Sequence, residues 1–147
     1  MPRFSRLWLA LSLIVVAGCS AAPVQTGSPS PLPSAPPSVY PAGGVTVTFR
    51  VADREEFKAL VTDPANIAIV RDLLAGKEAP AIPNGRIVYQ TRVNTGYHWS
   101  MDPTDIEFAD VTTEVCDGLP SDVEKHAITS DRYCPWAAKV IAVEPAP

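Results

Sequence analysis

The sequence predicts an α+β fold with a mainly antiparallel sheet, one main helix, one short helix and a disulfide. Three observations predict it: short segments in which apolar and polar residues alternate, one well-patterned helix among them, and two cysteines near the C-terminal end. The chain has 147 residues, with 12 Lys and Arg against 16 Asp and Glu. This length is typical of one domain. The net charge of −4 argues against a nucleic-acid partner, which requires a basic surface.

The N-terminal segment is typical of an exported lipoprotein. Arg3 and Arg6 precede an uncharged apolar run over residues 7–17, which is shorter than the roughly 20 residues of a spanning helix and resembles a signal peptide. The run ends in Val16-Ala17-Gly18-Cys19, which matches the bacterial lipobox. We therefore predict a lipoprotein signal peptide over residues 1–18, cleavage before Cys19 and acylation of its thiol. An ordinary secreted protein, with Cys19 inside the removed piece, is the alternative.

Acylation of Cys19 implies a partner and a location. Each buried methylene contributes about 0.8 kcal/mol, so two or more acyl chains (palmitate, for example) hold a protein stably on a membrane. The predicted partner is therefore the lipid bilayer, contacted through Cys19. The predicted location is the cell envelope, on the outer side of the cytoplasmic membrane or in the outer membrane.

A proline-rich segment follows the predicted acylation site. Residues 20–44 contain no charged residue and seven prolines, a composition that cannot bury a core and favours extended polyproline II. At about 3.1 Å per residue, such a segment reaches roughly 75 Å. We interpret residues 19–44 as a lipidated cysteine and a tether, with a Pro-rich ligand for another protein as the alternative, and residues 45–147 as the globular domain.

The first half of this domain shows clear local patterns. Val45 to Val51 alternates apolar with polar residues, which predicts a half-buried strand. Residues 57–61 are either a second short strand or the end of a loop. Asp63 and Pro64 form a strong helix start. The apolar residues after them lie on one helical face up to Gly76, which predicts a helix from Pro64 to Ala75.

The second half contains shorter segments. Residues 86–90 and 97–101 flank turn residues and predict a hairpin. Residues 106–109 and 111–116 are rich in β-forming types. Ser121 and Glu124 have capping-box spacing, which predicts a short helix through His126. The apolar stretch over residues 136–143 predicts a central strand.

Cys116 and Cys134 are the remaining thiols once Cys19 is acylated. Outside the cytoplasm such a pair usually oxidises, and in the loop-entropy model the closed loop would stabilise the fold by about 3 kcal/mol. We predict a structural disulfide. A catalytic thiolate with His98 or His126 as its base is the rival interpretation.

The sequence contains no catalytic motif that indicates a particular reaction. Two histidines, His98 and His126, and one carboxylate, Glu114, are the residues on which an enzyme or metal site could be built. Residues 102–110 are rich in carboxylates, but they lack the spacing and glycine of an EF-hand calcium loop. We therefore predict no cofactor, no metal site and no catalytic residue.

Several side chains are candidates for binding instead. Glu114 could pair with Arg86 or Arg92, or remain a surface carboxylate. Four aromatic residues either pack near the cysteines or bind a sugar ring or an apolar peptide if they are exposed together; they are Tyr97, Trp99, Tyr133 and Trp136. The candidate binding residues are Arg86, Tyr97, His98, Trp99, Glu114, Asp117 and Trp136.

Five short blocks resemble a known family. They are Val61 to Pro64, Gly85 to Val88, Gly96 to Pro103, Glu114 to Asp117 and Cys134 to Trp136. Together they are similar to the BP seventy-four N-terminal domain, a small exported domain often labelled calmodulin-binding-protein-like, over roughly residues 45–143. The blocks EVCD and CPW are the specific part. The resemblance implies an exported domain in which the two cysteines pair, and it implies no established reaction.

Three functional hypotheses follow. The first is a membrane-anchored, non-enzymatic binding or interaction domain whose partner is an envelope protein or a small ligand. The second is a small hydrolase or metal-dependent enzyme that uses His98, Glu114 and His126. The third is a module similar to a protease inhibitor, which would present the loop closed by the disulfide.

Overall fold

A computed structural model describes residues 43–90 and 93–147. These residues form an α+β domain with antiparallel strands, as predicted, but the strands are divided between two sheets rather than forming one. The first sheet contains β1 (Val45–Val51), β2 (Glu55–Val61) and β7 (Ala138–Pro145), in the order β2–β1–β7. In β1, valine and phenylalanine alternate with threonine and arginine, so one face of the strand is fully apolar.

The second sheet is organised around β3 (Ile82–Val88). Three short strands pair with successive parts of β3: β5 (Glu107–Ala109), β6 (Arg132–Tyr133) and β4 (Ser100–Met101). Gly85 lies at the middle of β3, where a Cβ atom would come within 3.2 Å of the Ile106 side chain. The backbone of β3 therefore passes close to Ile106 at this position, and a larger residue would require the Ile106 side chain to shift.

Helix α1 (Pro64–Leu74) connects the two sheets and confirms the predicted helix. The Asp63 carboxylate accepts hydrogen bonds from the backbone N–H groups of Ala65 and Asn66, which have no carbonyl partner in the first turn. Ile67 and Val70 are buried in the core. Local capping and the burial of one apolar face therefore act together to define this helix.

The core contains residues of both sheets and both helices, and it includes a cluster of aromatic rings. Phe49 and Phe57 stack with ring centroids 5.0 Å apart. The Tyr133 ring lies edge-on to Phe57 at 5.3 Å and to Trp99 at 5.2 Å. Such pairs contribute about 0.5–1.5 kcal/mol each beyond area burial. The cluster ties β2 to β6 and to the segment before β4.

Several local predictions differ from the structure. The strand predicted at residues 86–90 spans Ile82–Val88, and β1, predicted to be half-buried, is buried on both faces except at Arg50. The last strand begins at Ala138 rather than at position 136, and it lies at the edge of its sheet, not at the centre. Residues 111–116 contain no strand; they form a loop and a 3₁₀ turn, Glu114–Cys116. Helix α2 spans Pro120–Glu124, and its capping carboxylate is Asp122, which accepts from the Leu119 N–H. The predicted hairpin does form, but its second strand is only Ser100–Met101.

The predicted signal peptide, Cys19 and most of the tether lie outside the described residues. Among residues 43–90 and 93–147, no helix has the length and apolar character needed to span a bilayer.

Candidate interaction surface

A disulfide joins two distant parts of the second half of the domain. Cys116 and Cys134 are bonded, with their Cα atoms 5.1 Å apart, which confirms the predicted pair. Both residues are buried, at 4% and 0% exposure, and the Cys134 N–H donates to the Cys116 carbonyl at 2.8 Å. The disulfide therefore fixes the 3₁₀ turn against the chain that leads into β7.

Trp136, two residues after this disulfide, is held at both ends. Its backbone N–H donates to the Asp117 carboxylate at 2.8 Å, and its indole Nε1–H donates to Thr112 Oγ1 at 2.6 Å. The side chain is nevertheless 44% exposed. The indole thus lies along the segment 112–117 with its orientation fixed and much of its surface in solvent.

Two valines of the same segment are also exposed. Val111 is 83% exposed and Val115 is 61% exposed. Val111 precedes Thr112, which accepts the hydrogen bond from the Trp136 indole. Val115 precedes Cys116, which forms the disulfide with Cys134. We call this surface the Trp136 face and define it by Asp110, Val111, Glu114, Val115, Asp117 and Trp136.

The Trp136 face is acidic. Asp110, Glu114 and Asp117 are exposed, and none of the ion pairs found among the described residues includes them. Six of the described Lys and Arg residues are each paired with other carboxylates, namely Arg50, Lys58, Lys77, Arg86, Arg132 and Lys139. Within the described part of the chain, these three carboxylates therefore have no Lys, Arg or His partner at ion-pair distance.

Three of the candidate binding residues predicted from sequence belong to the Trp136 face. Asp117 contacts Trp136 directly, and Glu114 lies three residues before Asp117 on the same disulfide-linked segment. The other four lie elsewhere. Sequence reasoning missed Val111 and Val115 because it placed them in a strand, where alternate residues are buried.

Arg86 is paired with Asp105, and Glu114 is an exposed surface carboxylate, which was one of the two interpretations that the sequence allowed. The Arg86 Nε atom lies 3.5 Å from the Asp105 carboxylate, which also accepts from Arg132 at 2.8 Å. Arg132 in addition donates to the Asn84 side chain at 2.8 Å. These contacts connect β3 and β6 to the loop before β5, so the position of Arg86 indicates a structural role. Arg92 lies outside the described residues.

His98 contacts a different carboxylate from the one expected. Its backbone N–H donates to Glu124 at 2.9 Å, and its ring Nδ1 contacts the other oxygen of the same carboxylate. These bonds, together with the nearby His126, lower the pKa of Glu124. The His126 ring packs on Tyr89, whose hydroxyl is 2.9 Å from its Nδ1.

The proposed trio of His98, Glu114 and His126 does not come together among the described residues. Glu124 takes the place of Glu114 beside the two histidines, while Glu114 lies on the Trp136 face. Within the part of the chain that the structure describes, no group of three or more His, Cys, Asp or Glu side chains has metal-site geometry.

Tyr97 and Trp99 support the core rather than an open surface. Tyr97 packs on Trp99 with ring centroids 5.7 Å apart, and its hydroxyl points to Glu55, which also accepts from the Ser121 N–H and hydroxyl. Burial and the Glu55 carboxylate raise the pKa of Tyr97. Trp99 is 0% exposed. It therefore cannot contact a ligand in this conformation, which corrects its place among the candidate binding residues.

Two open clefts flank the C-terminal end of β7. One, of about 420 Å³, is bordered by Gly43, Arg71, Leu74 and Val143; the other, of about 280 Å³, is bordered by Thr46, Lys58 and Thr95. None of the candidate binding residues predicted from sequence borders either cleft. Three of the seven, Glu114, Asp117 and Trp136, belong instead to the Trp136 face.

The fold and this surface define a small, disulfide-linked α+β domain with an exposed aromatic residue in a fixed position. The model of the BP seventy-four N-terminal domain family matches residues 44–147. The chain therefore belongs to this family, as the EVCD and CPW blocks suggested. No curated protein and no solved structure matches the chain.

Proposed function

We propose that this protein is a lipid-anchored, extracytoplasmic interaction domain that binds a partner without catalysing a reaction. The observation that carries the proposal is the Trp136 face, an exposed aromatic and aliphatic surface on a domain that follows a lipobox and a proline-rich tether. Clustered apolar side chains on the surface of a soluble domain are typical of interaction sites. The tether would let the domain reach partners up to roughly 75 Å from the bilayer.

Two observations support an extracytoplasmic location. The lipobox ends at Cys19, and the thiols of Cys116 and Cys134 are joined in a disulfide. Structural disulfides form and persist mainly in oxidising compartments outside the cytoplasm.

The described residues contain only part of the site that the alternative enzyme would need. The His98–Glu124 pair resembles the base and orienting group of a catalytic site, but Glu114, the third member expected, is on another surface. A nucleophile or metal group beside this pair would be needed for such chemistry. The inhibitor-like alternative predicts inhibition of a protease by the loop over residues 117–133, which a panel of proteases tests directly.

The anchor is tested by fractionation of cells that express the full chain or the Cys19→Ser variant. We expect the native chain in the membrane fraction with an acylated Cys19, and the variant released from it or retained as an unprocessed precursor. Crosslinking on intact cells then tests the interaction role, with the expectation that one or a few envelope proteins are captured. If Cys19 is acylated but no protein is captured, the lipid anchor is supported and the interaction role is contradicted.

A further inference from the structure

The Trp136 face concentrates exposed apolar surface. Among the described residues, five large apolar side chains are exposed, and three of them are Val111, Val115 and Trp136. The bonds from Trp136 to Thr112 and Asp117 bring the indole beside the segment that carries both valines. Singly scattered apolar residues need no explanation, but two exposed valines on the segment that holds an exposed tryptophan indicate a contact site.

The indole of Trp136 is already fixed before any partner arrives. Hydrogen bonds hold its backbone N–H and its ring N–H, and the Cys116–Cys134 disulfide constrains the chain two residues away. Binding normally costs about 0.5–1.5 kcal/mol for each side chain that must be immobilised. That cost is small for Trp136, and tryptophan is enriched among the residues that dominate binding energy.

The charge around Trp136 indicates the chemistry of the partner. Asp110, Glu114 and Asp117 place three carboxylates beside the apolar residues, and no described cation pairs with them. A surface of this kind attracts cationic partners and repels anionic ones, which include nucleic acids and anionic lipid headgroups. Lysine or arginine can also pack over the face of an indole.

We infer that the Trp136 face binds a basic segment of a partner protein that also carries apolar side chains. Lysine or arginine side chains pair with Asp110, Glu114 and Asp117, while apolar side chains pack against Val111, Val115 and the exposed part of the indole. The inference rests on the proposed interaction function and names the partner chemistry for it.

The experiment uses the full chain in zwitterionic lipid nanodiscs, with empty nanodiscs as the blank. The probes are three synthetic peptides of about twelve residues. The first is composed of lysine and leucine, the second of glutamate and leucine, and the third of lysine and serine. Fluorescence anisotropy of the labelled peptides measures binding at low and high salt. We expect saturable binding of the lysine–leucine peptide, weaker binding of the lysine–serine peptide and none of the glutamate–leucine peptide.

Variants of the Trp136 face locate the site. Trp136→Ala should weaken binding of the lysine–leucine peptide about tenfold or more. The double change Asp110→Asn and Glu114→Gln should weaken binding at low salt and flatten its salt dependence. Matched controls are Leu74→Ala and Glu78→Gln, because Leu74 is 45% exposed and lies at the opposite end of β7 from Trp136. Both controls should bind like the native chain.

Any one of the following results would overturn the inference. The first is equal binding of the lysine and glutamate peptides, and the second is equal loss of binding in the Trp136 and Leu74 variants. The third is quenching of Trp136 fluorescence by brominated lipids, isolated by comparison with Trp136→Phe, because that result would place the face against the bilayer. An unacylated Cys19 would refute the predicted lipid anchor but would not affect this inference. An acylated chain that binds none of the three peptides would refute this inference without affecting the anchor.

Discussion

Removal of the Cys116–Cys134 disulfide is the perturbation whose magnitude follows most directly from the structure. The two cysteines are 18 positions apart in sequence and fully or almost fully buried. Closing a loop of this length restricts the unfolded chain by about 3 kcal/mol in the loop-entropy model. We therefore expect the double change Cys116→Ala and Cys134→Ala to lower the free energy of unfolding by about 3 kcal/mol or somewhat more, since removing two buried sulfurs also loses packing.

The assay is urea denaturation of the chain from residue 19 onward, with Cys19→Ser to exclude acylation. Reduction of the unmodified pair with dithiothreitol separates the two contributions, because it breaks the bond but keeps both sulfurs. Reduction should account for most of the loss, and the slope of unfolding against urea should rise as the unfolded chain expands. A loss below about 1 kcal/mol on reduction would refute the reasoning that the disulfide acts mainly on the unfolded chain.

Three further predictions concern side chains of the core and its borders. Asn94 is 1% exposed and bonds the Lys58 N–H and the Trp99 carbonyl, so Asn94→Ala should lower the free energy of unfolding by about 2–3 kcal/mol; an unchanged urea midpoint would contradict this. His98 lowers the pKa of Glu124 below its ordinary value of 4.5, so the pair stabilises the fold above that pH and loses its effect as the pH falls through the lowered pKa. Glu124→Gln should therefore flatten the acid limb of a stability–pH profile, and an unchanged limb would refute the role of the pair. Burial raises the pKa of Tyr133 above its ordinary value of 10.0, so stability should fall as the pH rises past about 10. Tyr133→Phe should remove part of that alkaline loss while costing about 1 kcal/mol at neutral pH for the lost bond to Gly118; equal alkaline slopes would contradict it.

Elements defined by local signals were predictable from the sequence. Helix α1 follows from the Asp63 cap, Pro64 and one apolar face, all within about a dozen residues. Strand β1 follows from strict alternation. The position of β7 was not predictable in the same way, because an apolar run indicates burial without indicating how many strands flank it.

The candidate site was predictable only in part. The cysteine pair and Trp136 lie in distinctive sequence blocks, and the structure brings them together with Asp117. The partner of His98 is Glu124, 26 positions away, and no local pattern connects residues at such a distance. Likewise, exposure of Val115 depends on a 3₁₀ turn that the β-forming residue types around it do not favour.

Mass spectrometry of the intact protein isolated from its native membrane tests the central claim most directly. We predict a mature chain that starts at Cys19 and carries acyl groups on that residue. Its mass should be lower by two hydrogens than that of the reduced chain, because Cys116 and Cys134 form a disulfide. A native chain that retains its first eighteen residues, with all three cysteine thiols free and unmodified, would contradict it.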